Sequence, residues 1–553
     1  MTMLLKALNM IRLCHRRSFW LRVLFVVLQS LLPLANLYIL KLLVDTVTGA
    51  SVPDILGAAP RVETLLALFC GIFLLNRVLS ILSGLNNDIL TQRLIDYLSD
   101  RMQRQSARLD MAYFDNPAYH DTYHRAQQEA SFRPLQVLSS FTGLFGSLLS
   151  IAGIVVLLST ASWWIIVVMV VAVIPSFVVR LVKSRKIYAF RRENTQTYRR
   201  TAYYSALLGG RDFAKEIRIF GLAPFFRRRF VQTRRRLVGE MLRISRRLAA
   251  YDTLCAVVET AALFFVTLFL IQSTSSGAIT VGSFVMLFEA FRRGQSHLST
   301  LVGSVNGLYD NRLFLSNLFE FLELEPRILS PADPVPFPQK VESVEFRDIT
   351  FRYPDMDRDV LSHYSLTARA GHITRIEGEN GFGKTTLVKL LLRLYDPDQG
   401  AVLVNGVDIR RYDLRQLRHG IGVIFQDYVR YYCTVAENIA FGDIYGKSDG
   451  QACGQLDSQN IRRAAELAGA DPFIGQLPDG YATPLGRLFD NGQELSMGQW
   501  QRIALARQLY SDAPILVFDE PTAWLDNPSR QHLLETLETL RSEQKLILLI
   551  KHL

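Results

Sequence analysis

The chain is poor in the residues that staple small folds or hold structural metals. Its 553 residues include five cysteines, Cys14, Cys70, Cys255, Cys433 and Cys453, and no two share a paired spacing. That excludes a disulfide framework and a cysteine-built zinc site as organising features. An acidic excess is also missing: 62 Lys and Arg stand against 51 Asp and Glu, a formal net charge of +11. No small-residue cleavage site follows the first apolar run, so a removable leader is not expected. A basic balance suits either nucleic acid or the cytoplasmic loops of a membrane protein. Between Arg180 and Arg247 twenty Lys and Arg face four acidic residues, without a stacking-aromatic pattern and with apolar stretches on both sides. That placement argues for membrane orientation and against nucleic acid.

Apolar residues are plentiful and unevenly spread. Mean hydropathy is +0.15 although 20% of residues are charged, and the apolar residues concentrate before residue 305. The length is too great for one ordinary domain. Six segments are long and apolar enough to cross a bilayer, which needs about 20 residues each: 19–43, 62–84, 136–159, 162–182, 250–272 and 280–303. The turn near Thr160 and the loop Gln272 to Ile279 carry no Lys or Arg, and the loop 46–61 carries one. Loops 85–135 and 183–249 are long and basic, which puts them and both termini in the cytoplasm. Both are helix-compatible, and each has a punctuated middle, at Tyr113–Tyr119 and Gly210–Gly221. These pieces read either as solvated tips or as short docking helices, and an ATPase domain on the same side favours docking.

Residues 326–340 hold five prolines and read as a linker. The expected first domain is therefore 1–325. The second, 341–553, has the strand, helix and turn mixture of an α/β nucleotide-binding domain. Its strongest feature is Gly378-Glu379-Asn380-Gly381-Phe382-Gly383-Lys384-Thr385, a G-x-x-x-x-G-K-[ST] phosphate loop after a short strand and before an apolar helix. The glycines let backbone N–H groups converge on an anion, and the helix N-terminus adds positive potential. Lys384 supplies a point charge for phosphates and Thr385 a hydroxyl for Mg²⁺. Further along, Ile515 to Phe518 reads as a buried strand ending in Asp519, for Mg²⁺, and Glu520, to polarise a water. The bland alternative is a core strand with capping acids. Ser496, Gly498 and Gln499 open a helix, a second anion-binding end. Gln426 follows an apolar strand, within reach of Mg²⁺ or water, and His552 follows another, within reach of a γ-phosphate. A lone Gln or His carries little information; their order and strand-end placement lift them.

These residues resemble the ATP-binding cassette family. Gly378 to Thr386 resembles Walker A, Gln426 the Q-loop, Leu495 to Gln499 the signature, Phe518-Asp519-Glu520 Walker B, Trp524-Leu525-Asp526 the D-loop and His552 the switch histidine. Tyr353 resembles the aromatic that stacks on adenine. Six spans fused ahead of one cassette resemble a B-type exporter half-transporter. The resemblance covers essentially the whole chain. It implies an all-α six-helix transmembrane domain followed by an α/β P-loop ATPase domain. The implied nucleotide is ATP with Mg²⁺, hydrolysed between two cassettes of a homodimer or of a pair with a related half-transporter. Glu520 would activate water, with Lys384, Gln426 and His552 assisting. The nucleotide would lie on Tyr353, Gly378–Thr386 and the Ser496–Gln499 end, and Thr385, Gln426 and Asp519 would face Mg²⁺. The implied task is export of a hydrophobic, amphipathic or peptide-like cargo across a bacterial-type cytoplasmic membrane, in contact with its lipid. The alternative is a regulatory subunit that binds ATP without turnover.

Three departures stand out. Met497 replaces a signature glycine, Ala523-Trp524 is unusual before the D-loop, and the chain stops at Leu553, where relatives usually continue. A fragment, a shortened product or a cassette of reduced stability are the readings of that end. No peptidase-like domain precedes the spans, so coupled peptide cleavage is not expected. Inside the sixth span lie Glu289, Arg292 and Arg293, with Glu259 in the fifth. Intramembrane charges point to function, whereas i+3 and i+4 spacing equally allows a structural ion pair.

Overall fold

In the computed structural model, residues 2–49, 62–116, 133–210, 213–354, 356–379, 382–443, 457–487, 491–522 and 525–552 are described. The chain divides into two compact units, Met1–Ala107 with Thr122–Glu323, and Arg108–Asp121 with Leu324–Leu553.

The first unit is helical: α1 (Thr2–Cys14), α2 (Arg16–Val47) and α3 (Val62–Arg108), then, after α4 in the other unit, α5 (Arg133–Ser159), α6 (Trp163–Glu193), α7 (Thr195–Gly209), α8 (Ala214–Ile219), α9 (Ala223–Ser275) and α10 (Val281–Leu322). In lipid a helix satisfies its own backbone polar groups, which is why apolar runs of this length take that form. Among the described residues five helices are long and apolar enough to cross a membrane, within α2, α3, α5, α6 and α9. The expected sixth span lies in α10, which is long enough but carries Glu289, Arg292 and Arg293 and falls outside that set. Small residues let α5 and α10 approach closely: a Cβ on Gly143 would stand 2.6 Å from Ser304 Oγ, and one on Gly307 2.4 Å from Ser140 Oγ. Leu37, Ile154, Leu158, Ile165, Met169 and Phe291 build the apolar centre.

Several charged side chains of this unit find partners. Buried Asp45 accepts the Gly282 backbone N–H at 2.9 Å. Lys183 pairs with Asp252 at 3.2 Å, and the Ser176 hydroxyl donates to Glu259 at 2.5 Å. Glu289 takes two bonds from Arg292, both 2.8 Å, and one from Arg293 at 2.9 Å. The ion-pair alternative for this cluster is therefore formed. In the second long loop the expected short helix is α8, which ends on exposed Ile219 and Phe220.

The second unit starts with a piece of the first long loop, α4 (Met111–Asp115). Asp110 accepts the backbone N–H groups of Arg327 and Ile328, and the Tyr113 hydroxyl donates to the Glu325 carbonyl at 3.0 Å. The Tyr395 hydroxyl donates to Asp115, and Lys389 lies 3.7 Å from the same carboxylate. The rest of that expected docking piece, 117–119, lies outside the described residues.

Two sheets follow. Strands β1 (Ser343–Phe351), β2 (Leu361–Arg369), β4 (Gln399–Val404) and β5 (Val407–Asp408) form an antiparallel sheet in the order β2-β1-β4-β5. Strands β3 (Ile373–Gly378), β6 (Ile421–Ile424), β7 (Ile515–Asp519) and β8 (Leu546–His552) form a parallel sheet in the order β3-β8-β7-β6. A parallel sheet is covered on both faces, and every residue of β7 is buried. Asn405 and Gly406, both at positive φ, make the two-residue turn between β4 and β5. Helices α11 (Lys384–Leu391) and α12 (Leu414–His419) accompany the sheets, and α13 (Val435–Ala440), α14 (Ser458–Leu467), α15 (Asp471–Ile474), α16 (Met497–Tyr510) and α17 (Asn527–Ser542) complete the unit. Trp500 of α16 is buried at the centre of the helical core.

Gly400 yields a stability prediction. Its φ is +86°, and a Cβ there would stand 2.4 Å from the carbonyl oxygens of Arg347 and Asp348. Those oxygens belong to the irregular stretch of β1 where its pairing with β4 shifts register, so they cannot retreat without breaking the ladder. Gly400→Ala costs about 1–3 kcal/mol from backbone strain alone. The thermal unfolding midpoint of the full-length protein drops accordingly, and an unchanged midpoint would refute the assignment.

Candidate functional site

The C-terminal ends of β3, β7 and β8 converge, because a parallel sheet aligns them. Gly378 of β3 pairs with His552 of β8, and Asp519 of β7 pairs with Ile550. The ends of parallel strands are where α/β folds put ligands. After β3 the chain passes Glu379, and Gly383, at φ +82°, turns it into α11. Asn380 and Gly381 lie outside the described residues. The Phe382 ring is exposed beside Gly378.

Lys384 is 6% exposed, and its ammonium donates to the Gly378 carbonyl at 2.6 Å and to the Lys551 carbonyl at 3.4 Å. The ammonium of Lys384 is thus held at the ends of β3 and β8. The Thr385 hydroxyl donates to Asp519 at 3.1 Å, and Asp519 is 2% exposed. Hydroxyl, carboxylate and amide oxygens at Thr385, Asp519 and Gln426 are hard donors of the sort Mg²⁺ takes together with phosphate oxygens and water. The residues present fit that ion. Among the described residues there is no cluster of three His, Cys, Asp or Glu that would hold a metal unaided.

Glu520 follows β7 at φ 50°, a left-handed conformation unusual outside glycine. Its N–H donates to the Ile550 carbonyl at 3.2 Å, and its carboxylate accepts the Gln426 amide at 2.9 Å. The Q-loop and Walker B residues of the sequence reading therefore meet. His552 is brought beside the phosphate loop through its backbone, while its side chain lies outside the described residues. Ala523 and Trp524 lie outside them as well. Asp526, two residues beyond Trp524, caps α17 and is held below the usual carboxylate range, mainly by the Ser529 hydroxyl.

Tyr353 is half-buried, edge-on to Phe351 and Tyr395, with its hydroxyl 3.1 Å from that of Thr386. Lys389 stands 5.1 Å from its ring centroid. The ring is thereby fixed next to the phosphate-loop helix. Ser496 caps α16 in a capping box: Gln499 N–H donates to its hydroxyl, and its own N–H donates to the Gln499 amide oxygen at 2.9 Å. Gln499 thus serves the helix start itself. Gly498 lies in the first turn.

Sequence reasoning missed Lys389, Tyr395, Tyr428 and Arg430. The first two frame Tyr353. Tyr428 donates to the Met497 carbonyl at 3.0 Å and Arg430 lies 2.9 Å from its sulfur. No local pattern announces the Lys389 and Tyr395 contacts. The missing signature glycine was the available signal for Arg430.

Comparison with known proteins agrees with this geometry. Residues 19–294 match the ABC transporter transmembrane region and residues 361–523 the ABC transporter domain. Relatives include the subtilin transport ATP-binding protein SpaT of Bacillus subtilis, 26% identical over 97% of this chain and 85% of its own. The nisin transport ATP-binding protein NisT of Lactococcus lactis is 24% identical over 95% and 85%. The ATP-dependent lipid A-core flippase of Bordetella pertussis is 32% identical over 63% and 54%. A bacterial Atm1-family ABC exporter solved with ATP bound superposes with a TM-score of 0.77, at 22% identity, over 97% of this chain and 91% of that one. The chain belongs to the ATP-binding cassette transporter family and is an ATPase-coupled transporter.

Proposed function

We propose that two copies of this chain form an exporter that moves an amphipathic, peptide-like cargo across a bacterial-type cytoplasmic membrane. The pairing of Gln426 with Glu520 beside Thr385–Asp519 is the observation that carries the ATP-driven part. Near-full-length alignment with subtilin and nisin transport proteins favours a peptide-like cargo, and the shorter alignment with lipid A-core flippases extends the class to lipid. The basic loops favour six spans, counting α10, with both termini and the cassette cytoplasmic.

In this reading ATP lies between the phosphate loop of one cassette and the Ser496–Gln499 helix end of the other. Tyr353 offers its ring to the base. Lys384 and the N-terminus of α11 neutralise phosphate charge. Thr385, Asp519 and Gln426 would hold Mg²⁺, which when bound offsets charge on the leaving phosphate oxygens. Glu520 accepts a proton from the attacking water at a carboxylate oxygen, Gln426 keeps that carboxylate oriented, and His552 would hydrogen-bond the γ-phosphate. Glu259, Glu289, Arg292 and Arg293 lie on the cargo side of the proposal, with Glu289 bonded to both arginines and offsetting one of their two positive charges until cargo separates them.

The test is ATP hydrolysis by the purified chain alone in lipid bilayers, repeated after mixing with inactive Glu520→Gln protein before dimers form. Self-sufficient turnover, with activity falling away from a straight line as inactive copies are added, is the expected outcome. Absent turnover in the pure chain, with ATP still bound, would replace the homodimer by a pair with another half-transporter or by the regulatory alternative.

A further inference from the structure

Gln426, Tyr428 and Arg430 alternate along one irregular segment after β6, and each is fastened to something different. Gln426 holds the Glu520 carboxylate at 2.9 Å. Tyr428, half-buried against the helical core, donates to the Met497 carbonyl at 3.0 Å; burial raises its phenol pKa, so it stays a neutral donor. The Arg430 guanidinium stands 2.9 Å from the Met497 sulfur. The same segment is tied to the last turn of α16. Arg507 donates to the Val429 carbonyl at 3.1 Å and to the Asn438 carbonyl at 2.9 Å, and lies 4.6 Å from the Tyr431 ring centroid. The strap 426–431 is thus fixed along α16 at two points, and its first residue touches Glu520.

One of these anchors depends on a side chain the family pattern lacks. The Tyr428 bond goes to a backbone carbonyl and would survive any residue at 497. The Arg430 contact needs the methionine. We propose that Met497 is a positioning residue for the Gln426–Glu520 pair, acting through Arg430, and that it locks the first turn of α16 to the strap. A movement of that helix end is then passed to Gln426, and so to the carboxylate of this chain's own site. The proposal rests on the reading of Glu520 as general base.

The test is steady-state ATP hydrolysis by the full-length protein in lipid bilayers, with kcat and KM resolved. Met497→Ala keeps the helix start and removes the acceptor. It lowers kcat about two- to tenfold, the range of one hydrogen bond, and leaves KM unchanged. Met497→Gln, whose amide oxygen accepts from a guanidinium, restores kcat. Arg430→Ala lowers kcat equally, and the double variant Met497→Ala/Arg430→Ala falls no further. An unchanged kcat in Met497→Ala overturns the proposal. So does a raised KM that is indifferent to Arg430, which would mean that residue 497 meets the nucleotide directly, or multiplying effects in the double variant. Full turnover in Glu520→Gln, run alongside, would overturn the base assignment itself, an outcome distinct from all of these.

Discussion

Glu520→Gln removes steady-state ATP hydrolysis and leaves ATP binding in place. The substitution keeps the length of the side chain and an oxygen able to accept the Gln426 amide, so the contact at 2.9 Å has a successor. What disappears is the proton acceptor. Loss of a positioned general base costs about 10²–10⁴ in rate. The backbone supports the role. Glu520 sits at φ 50° with its N–H on the Ile550 carbonyl, and such strain, about 1–3 kcal/mol, is tolerated where the surrounding structure imposes it. A shape-preserving change leaves that strain in place, so the fold should survive. Phosphate release and retention of a fluorescent ATP analogue are the two measurements. Residual hydrolysis above a tenth of the parent rate would refute the assignment.

Lys384→Ala weakens ATP binding itself. The ammonium is nearly buried and lies on the carbonyls of Gly378 and Lys551. Removing it deprives the phosphates of a cation and leaves those carbonyls short of a donor at the mouth of the loop. A hydrogen bond to a charged group contributes about 1.5–3 kcal/mol, so Kd rises about 10- to 150-fold. Arginine is a poor substitute, because its planar fork is larger than the compact ammonium that reaches both carbonyls. Titration with the same fluorescent analogue reads the effect, and an unchanged Kd would sink it.

The parts of the chain that were legible in sequence are those whose signal is local. Ile515 to Asp519 announced a covered strand by its uninterrupted apolar run, and the strand lies in the parallel sheet. The phosphate loop announced a strand before it and a helix after it, now β3 and α11. Glu289, Arg292 and Arg293 could be read as a possible ion pair from helical period alone, and they form one. Other features were illegible because they join distant residues. Nothing near Asp115 signals Tyr395, and nothing near Arg507 signals Val429. The expected sixth span is a case of mixed signal, since its charges keep α10 out of the apolar set although the helix forms. The side chain of His552 and residues 523 and 524 lie outside the described residues.

The attachment of α4 bears on how the molecule is made. Asp115 and Tyr395 are 280 residues apart in the chain. At synthesis rates of about 5–20 residues per second, the ribosome delivers the tyrosine roughly 15–55 s after the aspartate. Bringing ends so far apart together in a free chain would cost about 5 kcal/mol of entropy before any contact forms. The surface around Tyr395, Lys389 and Leu324–Ile328 is therefore completed by a segment translated much earlier. A cassette translated separately from residue 324 would meet none of Asp110, Tyr113 or Asp115. Its maturation is tied to the order in which the whole polypeptide emerges.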